Sequence, residues 1–274
     1  MILRSPVYKL RFKKVSVLDQ VLRTACIVSP AETLEVIEDL IKKKRPGVYM
    51  RFGDGDVNLL HGKDDSYQLA SLKLQEEMND CFSLKGPAIL KSLSIHSELY
   101  GREKEMFPGN HLSSDEAASE LLKQVYPFFV GYRIFSHIAL HYMACYYPVI
   151  ANEFLRHLKD ETVLFIGNED TDPSIVNRLF GEVIHVKTPA RNAYDKIDTI
   201  EKEAVGVLNG KKEFGVVVIA MGCSGRPLAK RLYQRIPGHF FFDFGSLLDG
   251  ICGNKTRAWL ELTEVDYDIV LKDL

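Results

Sequence analysis

The sequence predicts an α/β protein: a Rossmann-like, mostly parallel sheet with helices on both faces. Three observations predict it. Short apolar runs, Val163-Leu164-Phe165-Ile166, Val216–Met221 and Phe240–Phe242, have the character of strands buried on both sides. Segments of helical character separate them, which is the order of a sheet built by crossovers. Helix-start signals, Ser29-Pro30-Ala31-Glu32 and Asp172-Pro173, stand where helices should open.

The elements follow in chain order. After Ser29, the apolar positions Leu34, Ile37, Leu40 and Ile41 recur at helical spacing, and Lys42-Lys43-Lys44-Arg45-Pro46 ends the helix. Val48–Phe52 is a strand, followed by a Gly-Asp turn. Residues 67–82 read as a helix with Leu69, Leu72 and Met78 on its apolar face, and Pro87–Ile95 as a strand. Ser113-Ser114-Asp115-Glu116 opens a helix ending near Tyr126. The aromatic-rich stretch 128–158 is expected to hold two helices broken around Pro148. Beyond it come the strand at Val163, a helix to Phe180, a strand Val183–Val186, a helix Ala193–Leu208, a strand Val216–Met221, a helix Pro227–Ile236 and a strand Phe240–Phe242. Residues 1–28 are read as an N-terminal extension and 29–274 as one domain, with lobes 29–158 and 159–274 as an alternative division.

At 274 residues the chain sits near the upper limit for one core. Its 46% hydrophobic and 26% charged residues are those of an ordinary globular protein. A net charge of −2 argues against a global nucleic-acid binder. Five scattered cysteines without Cys-x-x-Cys argue against a disulfide framework or structural zinc, and fit a reducing compartment. The N-terminal residues lack a signal-peptide core, and no run approaches the roughly 20 apolar residues of a membrane span. A cytoplasmic location is expected. Basic residues alternating with Val7, Leu10, Phe12 and Val15 are compatible with contact at the inner membrane face, although a solvated edge is the simpler reading.

Four loops carry candidate chemistry. Arg51-Phe52-Gly53-Asp54-Gly55-Asp56 places two carboxylates one residue apart, so that Asp54 and Asp56 could address one hard cation, and that ion a diphosphate. Gly53 and Gly55 would allow close approach of a ligand, and Arg51 would contact phosphate or orient the aspartates. A calcium loop is excluded by Leu59 and Asp65 at its sixth and twelfth positions. Met221-Gly222-Cys223-Ser224-Gly225-Arg226 joins a strand to a helix; Gly222, Ser224, Gly225 and Arg226 would form an anion cradle or an ordinary α/β turn. Thr188–Tyr194 opens the next helix at the same sheet end, where Asn192 could be only a cap and Tyr194 core. After the last strand, Asp243 and Asp249 could hold a sugar hydroxyl, ligate metal or act as general base, Asp249 being the preferred base. Gly167-Asn168-Glu169-Asp170 offers competing carboxylates. His137 and His141 have the spacing of a zinc pair without its catalytic glutamate, and core or interface histidines are the better reading.

The run Arg51–Asp56 resembles the R-F-G-D-G-E signature of the GT-D-fold glycosyltransferases, a bacterial group first known as a domain of unknown function. Pro189-Ala190-Arg191-Asn192-Ala193-Tyr194 and Asp243-Phe244-Gly245-Ser246-Leu247-Leu248-Asp249 extend the resemblance, which spans roughly residues 30 to 254. It departs at Asp56, one methylene shorter than the family's glutamate. The resemblance implies a Mn²⁺- or Mg²⁺-dependent transferase moving sugar from a nucleotide-diphosphate sugar, UDP-linked by preference, to a hydroxyl of a glycan or glycoconjugate acceptor. It also implies that Arg191 and Asn192 face the nucleotide. Self-association stays open. The alternatives are a phosphosugar isomerase, from the faint likeness of Gly222-Cys223-Ser224-Gly225 to a phosphate loop, and a non-catalytic nucleotide-sugar-binding protein.

Overall fold

The computed structural model describes residues 26–94, 115–211, 213–254, 260 and 263–274. Their strands form one eight-stranded sheet in the order β1-β4-β3-β2-β8-β7-β5-β6. The strands are β1 (Cys26–Ile27), β2 (Gly47–Phe52), β3 (Ile89–Leu93), β4 (Arg133–Ser136), β5 (Thr162–Asn168), β6 (Ile184–Thr188), β7 (Val216–Ala220) and β8 (Phe240–Asp243). Every pairing is parallel.

The strands are apolar on both faces because both faces are covered. Val48, Met50, Phe52, Leu164, Ile166, Val217, Ile219 and Phe241 point to one side, with α2 (Asp54–Leu60), α3 (Leu72–Ser83), α4 (Asp115–Val125), α8 (Ile197–Leu208) and α9 (Gly225–Arg235). Tyr49, Phe165, Val216, Val218, Phe240 and Phe242 point to the other. There they meet α1 (Pro30–Lys42), α5 (Ala139–Tyr146), α6 (Pro148–Glu161), α7 (Pro173–Phe180), α10 (Leu247–Ile251) and α11 (Tyr267–Val270). Alternation with a period of two explains the split. Each large side chain so buried contributes about 1.5–3 kcal/mol.

The face taken by each helix follows from chirality. Crossovers toward the β1 edge (β2→β3, β3→β4, β6→β7, β7→β8) use one face, and those toward the β6 edge (β1→β2, β4→β5, β5→β6) use the other. Right-handed crossovers require this. The chain leaves β5 toward one edge and β7 toward the other, so a crevice opens between their C-terminal ends.

The helix-start signals read at Ser29 and Asp172 hold. Ser29 Oγ accepts from Glu32 N at 3.1 Å, and Asp172 Oδ1 from Ser174 N at 2.8 Å; such caps stabilise by about 1 kcal/mol each. Several expectations need correction. The Gly-Asp turn is the first turn of α2, with Gly53 as its N-cap. The helix expected from residue 67 begins at Leu72, because Ser71 Oγ caps Leu74 N. Leu69 and Leu72 are exposed, and its buried face is Leu74, Met78, Cys81 and Phe82. The 128–158 stretch holds β4 as well as two helices; this four-residue strand follows the turn at Gly131, whose φ is +77°. Ala193–Lys196 is a 3₁₀ turn before α8. Residues Cys26–Ile27 pair with β4, so the sheet begins inside the segment read as an extension. Residues 1–25 and the Ser113-Ser114 helix start lie outside the described residues. Among the described residues no helix is long and apolar enough to cross a membrane.

Candidate active site

The C-terminal ends of β2, β5, β7 and β8 surround a cavity of about 370 Å³. Of the candidate site residues, Arg51, Gly222, Arg226, Asp243 and the base candidate Asp249 line it, joined by His137, Asn168, Asp170, Thr171, Asp172, Gly245 and Ser246. The site is mixed in charge: two guanidinium groups stand among four carboxylates, those of Asp170, Asp172, Asp243 and Asp249.

Arg51 is 5% exposed and is fixed from several sides. Its Nε donates to His137 O at 2.6 Å and its Nη1 to Phe244 O at 3.3 Å. Its Nη2 lies 3.3 Å from His141 Nε2, which is 3.2 Å from Ser246 Oγ. A guanidinium can only donate, so His141 Nε2 accepts and the ring proton sits on Nδ1. Gly245 makes room for this arginine. Its φ is +71°, and a Cβ there would overlap Arg51 Nη1. The two histidines thus serve the arginine rather than forming a zinc pair, and His137 precedes α5 instead of sharing it.

Arg226 stands in the first turn of α9 and is 8% exposed. Its Nε lies 3.1 Å from Asp56 Oδ1 and its Nη1 3.2 Å from Asp243 Oδ2. Nη1 also donates to Gly222 O and Nη2 to Arg51 O. Gly222 has φ +54° with nothing within 4 Å of a Cβ position, so this backbone is open on that side.

The aspartate pair is arranged differently from the expectation. Asp54 occupies the first helical position of α2 and is exposed, whereas Asp56 occupies the third and is 1% exposed. Residues two apart on a helix do not face each other. Asp56 Oδ2 accepts from Gly53 N at 2.8 Å, and its other oxygen meets Arg226. Burial pushes Asp56 up to about 6, against the downward pull of Arg226 and the Gly53 N–H. As folded, the pair does not suit a shared Mn²⁺ or Mg²⁺. Among the described residues no group of three or more His, Cys, Asp or Glu is positioned to hold a metal. Gly55 approaches the protein itself: a Cβ there would collide with the Asp65 carboxylate and meet Cys223 Sγ at 3.0 Å.

The remaining expected ligands hold a neighbouring loop and do not line the cavity. Asn192, at φ +51°, donates its N–H to Tyr67 O and accepts from Leu69 N at its Oδ1, both at 2.9 Å. Arg191 Nη1 donates to Ser66 O at 2.9 Å. Ser224 Oγ donates to Gln68 Oε1 at 2.8 Å and Tyr194 N to the same oxygen at 3.0 Å. Gln68, 3% exposed, is the hub that sequence reasoning missed, since a lone glutamine in a loop carries no signal. Gly225 packs on Ile219, where a Cβ would come to 3.1 Å. Ser224 is 2% exposed and its hydroxyl is taken up by Gln68, so it is not presented to a phosphate as the isomerase alternative expected.

A family model described as Glycosyltransferase GT-D fold matches residues 49–248. The structure is similar to that of a DUF1792 glycosyltransferase from Streptococcus sanguinis, with TM-score 0.63 and 18% identity over 91% of this chain and 93% of that one. It is also similar to a structure described as the highly conserved domain of unknown function 1792 with a distinct glycosyltransferase fold, with TM-score 0.60 and 16% identity over 93% and 92% of the two chains. No curated protein matches the chain.

Proposed function

The chain belongs to the glycosyltransferase GT-D fold family and is a glycosyltransferase, and from that premise we propose that its donor is a nucleotide-diphosphate sugar and its acceptor a glycan hydroxyl. The observation that carries this reading is the crevice at the β5/β7 reversal, lined by the guanidinium groups of Arg51 and Arg226 together with the carboxylates of Asp170, Asp172, Asp243 and Asp249.

A diphosphate carries its charge toward donors already oriented in the apo protein. Arg51 and Arg226 are held by backbone carbonyls and buried carboxylates, so little reorganisation accompanies charge development on the leaving group. The open backbone at Gly222 and the N-terminal turn of α9 add N–H groups of the kind that favour anions. The sugar would extend toward Asn168, Thr171 and the aspartates, whose oxygens accept hydroxyl protons. As the acceptor oxygen bonds to the anomeric carbon, the bond from that carbon to the diphosphate oxygen breaks. The acceptor proton passes to a carboxylate, for which Asp249 is the first choice and Asp170 the second. The nucleoside diphosphate leaves with the bonding electron pair.

The test is nucleotide release from a panel of UDP-, GDP- and TDP-sugars, with candidate acceptors and with Mn²⁺ present or chelated. Acceptor-dependent release by the wild-type chain, reduced roughly 10²–10⁴-fold in Asp249→Asn, is expected for loss of a general base. Binding without release in any acceptor mixture would point to the non-catalytic reading. An unchanged rate in Asp249→Asn with a loss in Asp170→Asn would move the base to Asp170.

A further inference from the structure

We propose that Asp56 is a positioning residue for Arg226, which presents the cation to the donor's diphosphate, and that the Asp54-Gly55-Asp56 run does not act as a paired metal chelate. The proposal rests on the nucleotide-diphosphate reading above.

Three observations carry it. The first is helical register. Asp54 and Asp56 are the first and third residues of α2, so their side chains leave the helix in different directions, one into solvent and one into the interior. The second is commitment of the carboxylate. One oxygen of Asp56 closes the helix start on Gly53 N, and the other faces Arg226 Nε at 3.1 Å as an ion pair outside hydrogen-bond geometry, with 1% of the residue exposed. A metal at Asp56 would have to displace a guanidinium or an N-cap hydrogen bond. The third is where Arg226 sits. It lines the cavity, whereas neither Asp54 nor Asp56 does.

Arg226 is also geometrically overdetermined. Asp56 and Asp243 hold two edges of its guanidinium, and the carbonyls of Gly222 and Arg51 take further N–H groups. Asp243 reaches back to Arg51 N at 3.3 Å, so β2, β8 and α9 are tied at one point. These contacts engage four of the five N–H groups and leave one on Nη2, so Arg226 meets a phosphate as an oriented charge with a single hydrogen bond, an orientation that a free arginine would lose to rotamer motion. Asp56, one methylene shorter than the glutamate of the resembling motif, keeps its carboxylate close to the helix start, against Arg226.

The experiment uses the full chain and two probes. UDP binding is measured calorimetrically in excess EDTA, and Mn²⁺ binding to the free protein by electron paramagnetic resonance. The variants are Asp56→Asn, Asp56→Glu, Arg226→Lys and the double variant Asp56→Asn/Arg226→Lys. The wild type should bind UDP in EDTA. Asp56→Asn and Arg226→Lys should each weaken UDP about tenfold or more, as expected for a misplaced charge-assisted contact, with the double variant no weaker than Arg226→Lys alone. Asp56→Glu should restore affinity to within about threefold of wild type, because a carboxylate at the third helical position can still cap and pair. Mn²⁺ binding should be the same in wild type and Asp56→Asn.

UDP binding that requires Mn²⁺, or Mn²⁺ binding that disappears in Asp56→Asn, overturns the proposal and leaves the donor reading intact. A chain that binds none of UDP, GDP or TDP, with or without Mn²⁺, removes the donor reading itself. If Asp56→Asn does not fold, Arg226→Lys and Asp56→Glu decide by the same criteria. UDP affinity unchanged in Arg226→Lys would then sink it.

Discussion

Two arginines on helix α9, Arg226 and Arg231, each face several carboxylates, yet they sit in opposite situations. Arg226 is enclosed by Asp56 and Asp243 beside the cavity, with 9% of its side chain exposed. Arg231 pairs with Glu77, Asp198 and Glu201 on the outer side of the helix layer, where Asp198 is 73% exposed and the side chains of Arg231, Glu77 and Glu201 keep 15–17% exposure. The first joins strand ends; the second joins α3, α8 and α9, with the Tyr194 hydroxyl donating to Glu77 at 2.7 Å. Ion pairing alone therefore says little about role. What separates the two clusters is whether water can replace a missing partner and whether a ligand can reach the cation.

The sharpest break of this contrast is Arg226→Ala. It strands two buried carboxylates, a situation that costs about 3–5 kcal/mol. Urea unfolding should register that loss, and nucleotide binding should vanish with it. Next is Gly245→Ala, which pushes a methyl group into Arg51 at a positive φ. Destabilisation of about 1–3 kcal/mol is expected, with a raised donor KM, measured by denaturation and initial rates. Should Gly245→Ala leave both unchanged, Arg51 would not be fixed as described.

Arg231→Met should be milder, about 1 kcal/mol after solvent screening, with kcat and KM for transfer unaltered. An effect on turnover would erase the distinction between the clusters. The smallest expected effect is in acid. Burial pushes Glu77 up, but the hydrogen bonds from Arg231 and Tyr194 and the nearby cations outweigh it, leaving its carboxyl below the usual range. Its folded pKa is depressed, so its contribution to stability is present above the unfolded value near 4.5 and is lost as pH falls through the folded value. The slope of stability against pH in that window should flatten in Arg231→Met.

The sheet was legible wherever burial alone dictated the residues. β5, β7 and β8 are apolar on both faces and announce themselves. β1 has only two residues, and β4 (Arg133–Ser136) buries only Ile134 and Phe135 between an exposed arginine and a half-buried serine, so neither shows an apolar run. At the site, the sequence supplied Arg51, Arg226, Asp243 and Asp249 because strand ends collect polar residues. It misplaced the aspartate pair because a glycine N-cap offers no side-chain start signal, so a helix looked like a turn. Arg191, Asn192 and Ser224 do lie after strand ends, but Ser66, Tyr67, Gln68 and Leu69, more than a hundred positions away, take up their polar groups. Asn168 through Asp172 could be ranked only once β5 was known to adjoin β7.

The pairing of β2 with both β3 and β8 bears on how the molecule is made. During synthesis, the edge of β2 that will receive β8 stays open until Phe240–Asp243 has left the ribosome. Until then Asp56 has no Arg226, and Arg51 no Asp243, to compensate it. The site therefore stays unassembled in any nascent fragment that ends before β8, the last strand among the described residues and the one that closes the circuit of charge.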